Sequence, residues 1–126
     1  MKQYFIYILL GLICIAFAAD TATAEQSHSA TFGATGSREV HLKRDIVSEK
    51  AKMLRTLSKD YEFRQTPGTI PFGRIITRIV VTDQYTNGNG GKATLTSGGP
   101  GEMFAILHLK SQRGHGYNFV IDIFGQ

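Results

Sequence analysis

Four histidines, His28, His41, His108 and His115, are the only imidazoles in the 126-residue chain, and Cys14 is its one cysteine. A structural zinc site takes four His or Cys ligands at short, regular spacings. Here the histidines are scattered and carboxylates would have to complete the set, so no metal centre is expected. His108 and His115 flank one expected hairpin, with nothing to fix both on one face. Asp83, Asn87 and Asn89 place three oxygen-bearing side chains close together, as a calcium loop does, but Tyr85 and Thr94 stand at the third and twelfth positions where that loop needs carboxamide or carboxylate oxygens. Gly98-Gly99-Pro100-Gly101 lacks the Gly-Lys-Ser/Thr and the helix that make a phosphate loop. Arg113-Gly114-His115-Gly116-Tyr117 has the spacing of a base-stacking strand, yet His115 stands where the first stacking aromatic belongs and the interleaved helices of that fold have no counterpart. No nucleophile elbow or base at a recognisable spacing is found. These residues predict a protein with no catalytic, cofactor or metal residues and no direct contact with nucleic acid. Each glycine segment reads first as a chain reversal, because Asn and Gly tolerate the positive φ of tight turns.

The charge is modest. Fourteen Lys and Arg stand against ten Asp and Glu, a net +4, but Arg38, Lys43, Arg44, Lys50, Lys52, Arg55 and Lys59 crowd into one early stretch. Most belong on the wet face of strands. The sharper alternative is a basic patch for acidic glycans, anionic lipid or nucleic acid, with salt-dependent affinity as its signature.

The N-terminus carries an address. One cation, Lys2, precedes an apolar run from Tyr4 to Ala19, and small residues follow to Ala24. That is the three-part layout of a secretory signal peptide, and the run is shorter than the roughly 20 residues of a membrane span. The expectation is a signal helix over residues 1–24, cleaved after Ala24, with the membrane met only during export, and a secreted, extracellular product. Cys14 would leave with it, so the remainder would be free of disulfides and must be held by an apolar core. With no Asn-x-Ser/Thr in the sequence, N-glycosylation is not expected.

The elements that must present these residues are strands. Residues 25–37 are polar and small, a lead-in with a short first strand near Thr31-Phe32. From Arg38, apolar Val40, Leu42 and Ile46 alternate with polar neighbours, the two-residue period of a half-buried strand, with the even positions apolar except at Arg44. A turn around Glu49–Lys52 and a strand from Met53 are expected next, although residues 48–59 also carry some helical spacing. Thr66-Pro67-Gly68 and Pro71-Phe72-Gly73 bracket a loop. Arg74 to Asp83 is rich in β-branched residues, with Ile75, Ile79 and Val81 on one face and Ile76 and Val80 on the other, as in an interior strand. Residues 91–96, 103–111 and 116–124 complete the set. Short strands divided by Asn/Gly turns predict an all-β fold, a small antiparallel β-sandwich-like single domain over residues 38–126.

Taken in order, Thr82-Asp83-Gln84, Asn87-Gly88-Asn89-Gly90-Gly91, Gly98-Gly99-Pro100-Gly101, Ser111-Gln112, the turn glycines Gly114 and Gly116, and Asn118-Phe119 resemble the insect family of multiprotein bridging factor type two. The resemblance covers about Ile75 to Gly125. Many members are called salivary secreted peptides, whereas the founding member was described as a transcription co-activator bridging a nuclear receptor to the general transcription machinery. The resemblance implies a non-enzymatic β protein that acts through an unknown protein or extracellular ligand, with protein bridging in the nucleus as the alternative. A lipid- or glycan-binding carrier is the third, with a pocket lined by Tyr117, Phe119, Phe104 or Phe63. The export signal and the lack of a Lys/Arg-rich nuclear-localisation run favour the first.

Overall fold

The computed structural model describes residues 28–68 and 73–126; the leader, its cleavage at Ala24 and part of the Pro71-Phe72-Gly73 breaker lie outside them. Among the described residues seven strands form: β1 (Ala30–Gly33), β2 (Val40–Glu49), β3 (Ser58–Arg64), β4 (Ile76–Asp83), β5 (Lys92–Gly98), β6 (Phe104–Lys110) and β7 (Tyr117–Gly125). All pairings are antiparallel, in a four-stranded sheet of order β1-β4-β7-β2 and a three-stranded sheet of order β3-β6-β5. The fold is all-β, as the period-two patterning predicts.

The alternation in β7 explains why it sits inside its sheet. Tyr117, Phe119, Ile121 and Ile123 share one face and are all buried. They meet Ile76, Ile79 and Val81 of β4 on the same face and Phe63, Ala105, Leu107, Leu109 and Ala93 of the opposite sheet in one core. The chain thus hides two facing apolar surfaces with a single layer of side chains between them.

Bulges shift the expected faces. β2 changes register between His41 and Lys43, and beyond it Arg44 pairs with Asp122 and Ile46 with Val120, so the even positions turn outward. Ile46 is 69% exposed, and Leu42 and Val47 pack on the core instead. β4 changes register between Ile76 and Arg78, which turns Ile76 inward with Ile79 and Val81 and leaves Ile75 exposed. The strand expected from Met53 begins only at Ser58; residues 50–57 form a loop in which Met53 and Leu54 are exposed. An extra residue in a ladder flips every side chain beyond it, and nothing in local hydropathy marks it.

The outer face of the larger sheet carries a charge network. Glu39 accepts hydrogen bonds from Arg78 Nη2 at 2.5 Å, Thr77 Oγ1 at 2.8 Å and the Gly36 amide at 3.2 Å, and the Arg78 guanidinium lies 3.9 Å from the Phe124 ring centroid. Asp122 accepts from Arg44 Nε at 2.7 Å and lies 2.8 Å from His41 Nε2. Arg44 holds the Asp122 carboxyl below its usual range, helped by His41. Between the sheets, the Tyr61 hydroxyl donates to Asp45, and burial first, then Asp45, raises the Tyr61 pKa.

Arg78 is the main cause that brings the Glu39 carboxyl down from 4.5 to about 2. A depressed carboxyl stabilises the fold above its ordinary pKa and loses that contribution as the pH falls through the folded-state value. Melting temperatures should therefore fall from about pH 4.5 down to pH 2. In Glu39→Gln this part of the decline is absent, which thermal melts across that range will read.

Candidate binding site

β4 ends at Asp83, β5 begins at Lys92, β6 ends at Lys110 and β7 begins at Tyr117, so the segments 83–91 and 111–116 lie at the same end of the sandwich. Asp83 organises this end. Its side chain is fully enclosed. Oδ1 accepts from the Tyr85 amide at 3.0 Å and Oδ2 from the His28 amide at 3.2 Å, with His28 Nδ1 at 3.7 Å. The Asp83 amide donates to Ser29 Oγ at 2.9 Å. One carboxylate thus ties the start of β1 to the turn after β4.

That turn closes over the carboxylate. A Cβ on Gly90 would stand 2.6 Å from Asp83 Oδ1 and 2.7 Å from its Cγ, so glycine is required here for close approach. Asn87 Oδ1 accepts from the Asn89 amide at 3.0 Å, a side chain standing in for a backbone turn. Gln112 clamps the outside, its Nε2 donating to Gly88 O at 2.6 Å and Gly90 O at 3.0 Å, while the Gln84 amide donates to Asn118 O at 2.9 Å. Gln112→Ala removes two hydrogen bonds worth about 1 kcal/mol each. The variant should melt some degrees lower and exchange the amides of residues 88–91 faster, with the rest of the domain unchanged.

The result is an open groove of about 600 Å³ between the edge strands β1 and β5. Ala30 and Ala93, the backbone of Gly90 and Gly91, and Lys92 and Lys110 are among its walls. Its size is within the range of small-molecule sites. Lys92 and Lys110 stand directly opposite each other in the β5–β6 register, an arrangement of like charges that costs stability. Neither is ion-paired with a carboxylate among the described residues.

The remaining predicted positions lie elsewhere. Gly98-Gly99-Pro100-Gly101 caps the opposite end, where the Gly99 amide bonds Phe104 O and the Gly101 amide bonds Ile76 O, both at 2.8 Å, joining the two sheets. Gly114 lies in the tight turn after Gln112, its amide on Arg55 O. His108 Nδ1 lies 2.8 Å from Asp60 on the outer face of the smaller sheet, and His115 lies in the turn with its amide on Gln112 O. The expected carrier pocket does not form: Tyr117, Phe119 and Phe63 fill the core, and Phe104 lies under Arg64 on an outer face, 5.1 Å from its guanidinium. Tyr117 is also too buried to stack on a base. Its hydroxyl and Asn118 Oδ1 are buried without a hydrogen-bond partner, and burial, then Glu49, raises the Tyr117 pKa. His28, Lys92 and Lys110 are not legible as site residues in the sequence; the signal for the lysines is the hairpin register that sets Leu95 against Leu107.

A family model described as transcription activator MBF2 matches residues 32–125. The chain belongs to the MBF2 family. The match takes in both glycine-rich ends of the sandwich and begins within β1. A probable salivary secreted peptide of Bombus ignitus is 57% identical over 51 residues, which are 40% of this chain and 38% of that protein. The match thus spans under two fifths of the length of this relative. No solved structure matches the chain.

Proposed function

We propose that this member of the MBF2 family is a secreted, non-enzymatic β-sandwich that works by binding a small acidic ligand in the groove between β1 and β5. The observation that carries the binding reading is the pair Lys92 and Lys110, set opposite each other on the outward face of β5 and β6 at the rim of the groove, without a carboxylate to neutralise them. An anionic ligand would relieve a repulsion that the folded chain otherwise bears. Secretion is supported by the leader layout of residues 1–24 and by the name of the Bombus relative, a probable salivary secreted peptide. The anionic dye anilinonaphthalene sulfonate, titrated onto the folded protein, tests the groove. Its fluorescence should rise on binding, and Lys92→Gln and Lys110→Gln should each weaken binding about fivefold or more while raising the melting temperature of the unliganded protein. Unchanged dye affinity in both variants would remove the groove from the proposal.

The family's description as a transcription activator supports a second reading, protein bridging in the nucleus. Expression of the full-length chain in insect cells separates the two. Product in the medium starting near Glu25 favours the secreted reading, and nuclear product with Met1 intact favours the other.

A further inference from the structure

The loop between β2 and β3, residues 50–57, carries at its tip Met53, the most exposed large apolar side chain among the described residues at 88%, and next to it Leu54, 69% exposed. Leu54 is also the one described non-glycine residue with positive φ, at 59°, a conformation that disfavours a side chain with a Cβ. Hydrogen bonds hold the tip there, from the Arg55 amide to Lys52 O at 3.1 Å, the Gly114 amide to Arg55 O at 2.8 Å and Arg113 Nε to Leu54 O at 3.2 Å, and Leu57 at the loop's end exchanges two more with Ser111. A strained backbone thus keeps two apolar side chains in water when the interior has no use for them. Cations neighbour them along the chain. Lys50, Lys52 and Arg55 flank the pair in sequence, Arg113 is bonded to its backbone, and none of the four is ion-paired with a carboxylate among the described residues.

We propose that the Met53–Leu54 tip is a docking element for anionic lipid surfaces, the two apolar side chains entering the interface while Lys50, Lys52, Arg55 and Arg113 meet the headgroups. This goes beyond the ligand groove, which lies between other strands, and is independent of it. The combination favours a bilayer over an acidic protein or glycan, because a bilayer offers an apolar phase immediately beneath a layer of negative charge. Among the described residues no helix is long and apolar enough to cross a membrane, and docking of this kind is shallow and reversible.

Co-sedimentation of the folded protein with phosphatidylcholine vesicles, with and without phosphatidylserine, tests the proposal. Binding should require phosphatidylserine and weaken as salt rises. Replacing Lys50, Lys52 or Arg55 by Gln should lower partitioning about fivefold for each charge removed. Leu54→Ser should lower it roughly tenfold. The chain contains no tryptophan, so in Leu54→Trp the emission of a single indole reports its surroundings and should shift to the blue on phosphatidylserine vesicles. Leu54→Gly should melt some degrees higher than the parent and bind vesicles less, the signature of strain maintained for a surface. Equal binding to neutral vesicles, an indole emission that stays at its aqueous position in the Leu54→Trp variant, or binding to heparin or polyglutamate without binding to vesicles would each overturn the proposal.

Discussion

Replacing Ile79 by aspartate should abolish the folded domain. Ile79 lies on β4, fully buried, opposite Ile123 of β7 on one side and Phe32 of β1 on the other. A carboxylate there would lose its hydration with no donor in reach, and a protonated one would still leave two oxygens unpaired in an apolar layer. The cost, of order 5 kcal/mol or more, is comparable with the entire stability of a domain of this size, roughly 5–15 kcal/mol. Far-UV circular dichroism and a flat thermal scan will read the loss. Ile46→Asp is the matching control: in the same sheet but exposed, it should leave the melting curve within a degree or two of the parent's.

Gly116→Ala should give the largest loss for the smallest addition of atoms. Gly116 is buried just before β7, where the chain passes the end of β2. A Cβ would run into the carbonyl oxygen of Glu49 and lie 2.9 Å from the Ala51 amide nitrogen and 3.1 Å from the Lys50 carbonyl carbon. These are backbone atoms, so relief requires moving β2 away from β7. Overpacking against rigid surroundings costs about 3 kcal/mol, a fall of roughly 12–24 °C in a domain of about 100 residues. Gly68→Ala, where a Cβ would meet no atom within 4 Å, should cost only the strain of its positive φ.

The contrast between these positions bears on what the sequence can disclose. Ile79 and the alternating face of β7 are legible because burial repeats every second residue. The exposure of Ile46 is not, because the bulge at Leu42 is a property of how β2 lies along β7, and the local pattern reads the same with or without it. Gly116 is legible as a turn glycine but for a different reason from the true one: its partner is the backbone of residues 49–51, far away in sequence. The groove is the least legible feature of all. Asp83, Asn87, Gly90 and Gln112 can be recognised as a set from the family resemblance, but β1 facing β5 across two sheets is fixed by tertiary packing, and only that contact turns a series of turns into a concave wall. The exposed Met53–Leu54 tip reads in sequence as the start of a strand, because hydropathy assigns apolar residues to the interior.

β7 is the interior neighbour of both β2 and β4, yet it follows every other strand in the chain. Neither of its partners can be completed until the ribosome has passed residue 125, and β2 must wait for a segment some 75 residues downstream. During synthesis the larger sheet can therefore form no more than its β1–β4 pair before β7 emerges. β2 in particular stays without its neighbour until β7 has been made.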